Sequence, residues 1–206
     1  ALKAGPAWMG VIVGLLAMAV ATTWWVLNGT AALFLFLGAF TYGVVYTVAL
    51  KRRTWLNIVF GGLAGSFAVL TGAAAADPTL GALPLLLALV LFLWTPPHFW
   101  SLAIANCDDY AAAGVPMLPV VVGVPRAAWV VHVNTIALVV VSLLPVAFGA
   151  GPSYLVAAVI GGAWFLRKTH ALLRKPARGT AMAAFFASMM QLGVLIVGVA
   201  LDALLA

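Results

Sequence analysis

Carboxylates are nearly absent from this sequence. Its 206 residues include four Asp and no Glu, against ten Lys and Arg. Charged residues make up 7% of the chain, where a soluble domain carries about 25%. That scarcity excludes an ordinary water-soluble domain. Cysteine is equally scarce: Cys107 stands alone, which rules out an internal disulfide and a cysteine-built metal cluster. No internal repeat, low-complexity tract or second domain is visible, so residues 1–206 read as one transmembrane domain.

What fills the chain instead is apolar. Hydrophobic residues make up 66% of it, with a mean hydropathy of +1.21. The few charges are clustered, which leaves long uncharged runs. This is the pattern of an all-α, polytopic membrane helical bundle; a transmembrane β-barrel shows short alternating segments. The pI near 10.0 raises nucleic acid as a partner. Cytoplasmic loops of membrane proteins collect Lys and Arg, however, and that reading needs no nucleic acid. The chain starts at Ala1, within six residues of a hydrophobic run and without a signal-peptide pattern. It is expected to be a piece, or a processed form, of a longer protein.

A transmembrane helix needs about 20 apolar residues. Seven spans are predicted: Ala7–Leu27, Thr30–Leu50, Trp55–Ala76, Leu83–Ile104, Ala127–Phe148, Ser153–Leu166 extending towards Leu173, and Thr180–Leu205. The sixth is the most polar, because Arg167, Lys168 and His170 cut into it. Alternating the spans places all ten basic residues on one side: Lys3, Lys51 to Arg53, Arg126 and the five within 167–178. The other side holds Asp77 and Asp202. The positive-inside rule makes the basic side cytoplasmic. Gly10/Gly14 and Gly61/Gly65 have the small-xxx-small spacing that lets helices approach closely.

Half of the acids fall together, in the segment Trp94 to Val120. Asp108 and Asp109 follow a hydrophobic span on the basic side. Adjacent carboxylates suit Mg²⁺, a hard ion that prefers oxygen ligands and substrate phosphates. The plainer alternative is a pair of solvated surface acids. Gly114, Pro116 and Pro119 constrain the loop that follows, and Met117, Leu118 and Val120 make it apolar. Such a loop is expected to fold back on the bundle or the membrane surface. Lys51, Arg52 and Arg53 are three cations on the same side, able to clamp a diphosphate or simply to signal topology. Asn57, a polar amide opening a span, needs a partner. His98 follows Pro96 and Pro97, which free backbone carbonyls and are expected to kink the helix. Its neighbours are Trp94, Phe99 and Trp100, so it reads either as a cavity residue or as part of an aromatic belt. His132 is expected to bond a neighbouring helix or to snorkel, His170 to be solvated, and Gln191 to act as interhelical glue. Trp24 and Trp25 fit the outer aromatic belt.

Two groups of motifs carry a resemblance. One runs from Tyr46-Thr47 through Leu50-Lys51-Arg52-Arg53-Thr54 to Asn57-Ile58-Val59-Phe60-Gly61-Gly62-Leu63-Ala64-Gly65. The other is Thr95-Pro96-Pro97-His98-Phe99-Trp100, then Asp108-Asp109-Tyr110 and Ala113-Gly114-Val115-Pro116-Met117-Leu118-Pro119-Val120. In order and spacing they resemble the protohaem IX farnesyltransferases (haem O synthases), a branch of the UbiA-type intramembrane prenyltransferases. The resemblance covers essentially the whole chain and is detailed from about Tyr42 to Gly123.

It implies nine transmembrane helices around a central cavity in a bacterial inner membrane. The cavity opens to the cytoplasm and laterally to lipid. It implies two acidic loops that hold Mg²⁺ and the diphosphate of farnesyl diphosphate. Farnesyl would pass to a vinyl group of haem B, with water adding afterwards to give haem O. Haem A synthase or oxidase-assembly proteins would be partners. Carried onto this sequence, Asp108 and Asp109 match the second acidic motif and would ligate Mg²⁺ directly or through water. Lys51, Arg52 and Arg53 would sit near the diphosphate, with Asn57 among the substrate-binding residues. His98 would lie at the cavity wall, near haem or its propionates, and Tyr110 would position the loop.

The departures from the family pattern are informative. An upstream acidic motif of the form NxxxDxxxD, with its basic Arg-Pro loop, is absent, and seven spans stand where the family has nine. This chain is therefore expected to lack the first two helices and half of the metal site, and to be inactive alone. Asn106 stands where an Arg is usual, Ser66-Phe67-Ala68-Val69 where a proline is frequent, and Ala112-Ala113 where the wider superfamily often has an acid. Two other readings remain open. One is a prenyltransferase acting on a quinone or chlorophyll precursor. The other is a non-catalytic transport or assembly protein.

Overall fold

The computed structural model describes residues 5–205, and Lys3 lies outside them. The described residues are helical with no strand. Helices α1 (Pro6–Val26) and α2 (Gly29–Phe40) form a pair at one edge of the bundle. Helix α2 runs on as a π-helix over Thr41–Leu50. Then come α3 (Asn57–Ala76) and α4 (Ala82–Ala105), followed by two short helices, α5 (Cys107–Ala112) and α6 (Leu118–Val122). Helix α7 (Val124–Leu143) ends in a 3₁₀ turn over Leu144–Phe148, and α8 (Pro152–Arg174) and α9 (Arg178–Leu205) close the chain. Helix α4 is the hub, packing against α3, α7 and α9.

Six of these segments are long and apolar enough to cross a membrane: Trp8–Val26, Gly29–Leu50, Asn57–Ala76, Ala82–Ala105, Val124–Phe148 and Arg178–Leu205. The all-helical membrane bundle is as expected; the count is one short of seven. Helix α8 is the difference. Its 23 residues reach about 35 Å at 1.5 Å per residue, but Arg167, Lys168 and Arg174 lower its hydropathy. Two of those cations lie against one ring, with Arg167 5.8 Å and Lys168 4.5 Å from the Trp164 centroid. Long cationic side chains that lie over an aromatic ring in this way carry charge on a helix while covering apolar surface.

Buried alanines and glycines set the packing, because lipid gives helices no hydrophobic reason to associate and close approach must supply it. The tightest seam joins α8 to α9. A Cβ built on Gly198 would meet Ala157 Cβ at 2.9 Å and the Ser153 carbonyl at 3.0 Å. Of the small-residue pairs read from the sequence, Gly61 and Gly65 do pack, against Tyr46 and Leu91. Gly10 and Gly14 do not: each has open space where a Cβ would stand, because α1 touches the rest of the bundle chiefly through α2.

Polar ties fix the ends. Asn28 caps α2 by accepting the Ala31 N–H at 2.9 Å, and its Nδ2 donates to the Ala74 carbonyl at the far end of α3 at 2.7 Å. Ser66 Oγ–H donates to the Ala88 carbonyl at 2.9 Å, joining α3 to α4. His132 on α7 bonds Thr169 on α8 at 3.0 Å, as expected, and His170 is exposed. Gln191 departs from expectation. It is fully buried in α9, yet neither amide atom has a hydrogen-bond partner, so it acts through packing against Gly161. Trp24 and Trp25 stand 61% and 86% exposed, consistent with a lipid-facing belt.

Candidate active site

Of the four acids, two are committed to local structure. Asp77 accepts the Thr79 N–H at 2.9 Å and the Thr79 hydroxyl at 2.7 Å, and these bonds hold its carboxyl below the usual carboxylate range. Asp202 accepts the N–H groups of Ser153 and Tyr154 at the start of α8. Asp108 and Asp109 are left exposed at the end of the bundle that carries the basic loops.

Their position follows from how α4 ends. Pro96 and Pro97 lie inside this helix, which nonetheless continues through them. Thr95 Oγ1–H donates to the Leu91 carbonyl at 2.9 Å and Ser101 Oγ–H to the Pro97 carbonyl at 2.6 Å, so hydroxyls take up backbone acceptors around the prolines. The helix stops at Asn106, whose side-chain amide donates to the Leu102 carbonyl at 3.0 Å. Helix α5 then carries both acids in its first turn. Gly114, at φ +64°, reverses the chain, and Met117 and Leu118 plunge into the core at 3% and 2% exposure. The loop does fold back on the bundle, as its apolar residues predict.

Asp108 and Asp109 line a cavity of about 430 Å³ together with Asn106, Cys107, Val124 and Arg178. Arg178 opens α9 and is the cavity's basic side chain. In the sequence Arg178 is one of the basic residues that mark topology; its place directly before the last span, after Pro176, is the signal that sets it apart. Burial and the charge of Asp108 push the Cys107 thiol above the ordinary thiol range. Among the described residues no cluster of three or more His, Cys, Asp or Glu is present. The chain thus offers two hard-oxygen carboxylates, fit for a divalent cation that takes its remaining ligands from water and phosphate.

The basic turn lies apart from this cavity. Lys51, Arg52 and Arg53 are exposed. Asn57 is buried beneath them at 1% exposure, and its Nδ2 donates to the Lys51 carbonyl at 3.2 Å. Its Oδ1 is buried without a partner. Asn57 therefore holds the turn in shape. Lys51 Nζ sits 5.9 Å from the Tyr46 ring centroid.

The two motif groups meet in a second cavity of about 170 Å³. Tyr46, Ile58 and Gly61 come from the first group, Thr95 and Phe99 from the second. His98 lines neither cavity. It is packed between α4 and α9, with Trp94 4.1 Å away on one face and Phe185 4.5 Å away on another. Its Nδ1 lies 2.7 Å from Ser188 Oγ. The sequence signal for Ser188 is a hydroxyl inside an apolar span.

Fold and site together define an integral membrane protein of helical type with a polar, acid-lined cavity at one end. The sequence pattern of the UbiA prenyltransferase family matches residues 5–193. This chain belongs to that family. It is 60% identical over 203 residues to a Paramagnetospirillum magneticum protein named protoheme IX farnesyltransferase 2, covering 98% of this chain and 70% of that protein. A second protein of that organism, named protoheme IX farnesyltransferase 1, is 55% identical over 85% of this chain and 62% of its own length. One from Cenarchaeum symbiosum, also named protoheme IX farnesyltransferase 1, is 43% identical over 90% of this chain and 62% of its own length. The chain therefore spans about two thirds of these relatives. No solved structure matches it. Prenyltransferases of the family generally use a divalent metal.

Proposed function

We propose that this chain is the larger part of an enzyme that transfers farnesyl from farnesyl diphosphate to a vinyl group of haem B, forming haem O. The observation that carries this reading is 60% identity to a protoheme IX farnesyltransferase across 98% of the chain. The cavity chemistry supports it. Ionising an allylic diphosphate needs charge stabilisation on the leaving group, and Asp108, Asp109 and Arg178 gather where a metal–diphosphate would sit. Mg²⁺ held by Asp108 and Asp109 would neutralise the diphosphate as it leaves. Arg178 pairs with the same phosphates, taking up a contact that Asn106 lacks the charge to make. Lys51, Arg52 and Arg53 guard the approach from the basic turn. Tyr110 positions the acidic loop beside the diphosphate. Burial within apolar helices keeps bulk water from the farnesyl cation.

The wider setting belongs to the same reading. Seven membrane crossings, with α8 as the seventh, leave every described Lys and Arg at the acidic end of the bundle, which faces the cytoplasm of a bacterial inner membrane. An acidic loop on a further segment completes the metal site. Haem A synthase or oxidase-assembly proteins receive the product.

Labelling with a photoreactive farnesyl diphosphate analogue tests the substrate assignment. The expected result is Mg²⁺-dependent labelling near Asp108 that unlabelled farnesyl diphosphate competes away. Absence of labelling in the complete reading frame contradicts it and favours a non-catalytic transport or assembly role.

A further inference from the structure

A groove of about 440 Å³ runs along the outer edge of the α8–α9 seam. Val159, Ile160, Ala163, Trp164 and Arg167 of α8 line it, with Met190 of α9 opposite. Each of these residues is exposed, so the groove faces outward from the bundle. Its walls are apolar except at one end. There Arg167 and Lys168 both lie against the Trp164 ring, 5.8 Å and 4.5 Å from its centroid. Val159 to Arg167 covers about 12 Å of helix, against roughly 15 Å for the hydrocarbon half of one leaflet. The groove therefore has the length of an acyl chain within one leaflet, and one charged end.

No carboxylate of this chain is left to balance that charge. Asp77 and Asp202 are engaged by N–H groups elsewhere, and Asp108 and Asp109 line the cavity with Arg178. Two like charges on one ring repel each other, and the repulsion grows as water is excluded. Depth adds to the cost. Arg167 stands about 10 Å before the end of α8 at Arg174, at 1.5 Å per residue. In a helix of about 35 Å crossing a hydrocarbon core of roughly 30 Å, that backbone position lies inside the lipid. The Cα–Cβ bonds of Arg167 and Lys168 tilt towards the helix N-terminus, away from the nearer water. Cations placed there need a partner. A lipid phosphate supplies the charge, and the chain attached to it fills the apolar wall.

We propose that the α8–α9 groove binds one anionic phospholipid of the cytoplasmic leaflet, with an acyl chain along Ile160, Ala163 and Met190 and the headgroup phosphate against Arg167 and Lys168. Basic pockets at the cytoplasmic ends of membrane helices are suited to anionic headgroups. A zwitterionic headgroup brings a cation of its own and leaves Arg167 and Lys168 only partly balanced. A free phosphate ion leaves the apolar wall without a partner. Arg174 and Lys175 are also exposed cations of this end, but neither lines the groove. The proposal takes α8 as a membrane crossing and is independent of the farnesyl-transfer reading.

Native mass spectrometry of the complete reading frame tests this. The protein is released from nanodiscs holding equal phosphatidylglycerol and phosphatidylcholine with matched chains, and the lipid that stays bound is weighed. The expected result is one retained phosphatidylglycerol. Arg167→Gln/Lys168→Gln is expected to lower its retention roughly 10- to 30-fold, from the contribution of each cation near a membrane surface. Ala163→Phe fills the groove and keeps both cations, and it should lower retention as well. Arg174→Gln/Lys175→Gln, beyond the groove, should bind like the parent. Melting temperatures in phosphatidylcholine alone should match across the set, which shows that the variants fold. Equal retention of the two lipids by the parent overturns the proposal, as does parental retention in Arg167→Gln/Lys168→Gln or in Ala163→Phe. An equal loss in Arg174→Gln/Lys175→Gln overturns it in favour of diffuse surface charge. Displacement of the lipid by inorganic phosphate makes the site one for a free anion instead. A parent that keeps neither lipid also overturns it, since another helix then covers the groove. A parent that makes no haem O contradicts the farnesyl reading alone and leaves this result standing.

Discussion

Arg178 of α9 and Asp108 of α5, far apart in sequence, line the same cavity. The α8–α9 connection brings a guanidinium to a site otherwise supplied by the loop after α4. If Arg178 pairs with diphosphate, removing it costs substrate affinity first. Charge-assisted hydrogen bonds are worth about 1.5–3 kcal/mol, so Arg178→Ala is expected to raise KM for farnesyl diphosphate roughly 10- to 100-fold. Arg174→Ala, one helix end away, should leave KM unchanged. Steady-state kinetics on both variants decide this, and equal effects would remove Arg178 from the site.

Cys107 is a reporter placed beside the acids. Only the thiolate reacts with maleimide, and burial together with the Asp108 charge raises the thiol's pKa. The thiolate fraction at neutral pH is therefore below that of a free cysteine, and labelling should accelerate as pH climbs through and beyond the ordinary thiol range. Asp108→Asn removes the charge, lowers the pKa and should speed labelling at fixed neutral pH. A time course of maleimide incorporation checks the sign; slower labelling in Asp108→Asn would contradict the geometry.

Gly198 predicts a sharp steric asymmetry. Its missing side chain is filled by Ala157 Cβ, the Ser153 carbonyl and Tyr154 Cα, all at 2.9–3.0 Å, and two of these are backbone that cannot swing away. Gly198→Val should destabilise the α8–α9 seam by about 1–3 kcal/mol or more. Gly10→Ala, with nothing within 4 Å, should be neutral or slightly stabilising. Thermal unfolding in detergent separates them.

Asp202 is a structural acid by the same geometry. Its carboxylate oxygens accept the Ser153 and Tyr154 N–H groups at 2.9 and 3.0 Å, supplying the cap that Gly151 cannot. Asp202→Ala is expected to lower the melting temperature without changing KM for farnesyl diphosphate. A kinetic defect without a thermal one would reassign the residue.

Composition made the helical bundle legible, and long uncharged runs made six of its spans legible. Helix α8 was harder because a helix that buries one face in the bundle can carry cations on another, and hydropathy averages the two. The acidic pair and the returning loop were readable because Gly114, Pro116 and buried Met117-Leu118 are local signals. Arg178 and Ser188 were not, since their importance comes from contacts between α9 and segments about 70 to 90 residues earlier. Gln191 and Gly10/Gly14 misled for the same reason: spacing shows which face a residue occupies and not which helix stands opposite.

The most direct test is to express the complete reading frame in a host lacking haem O synthase and identify the extracted haems by mass spectrometry. Asp108→Asn/Asp109→Asn is run beside it. Haem O from the parent and none from the double variant is the predicted result. A well-folded, membrane-inserted parent that yields no haem O would contradict the account and move quinone-type acceptors or a non-enzymatic role ahead of it.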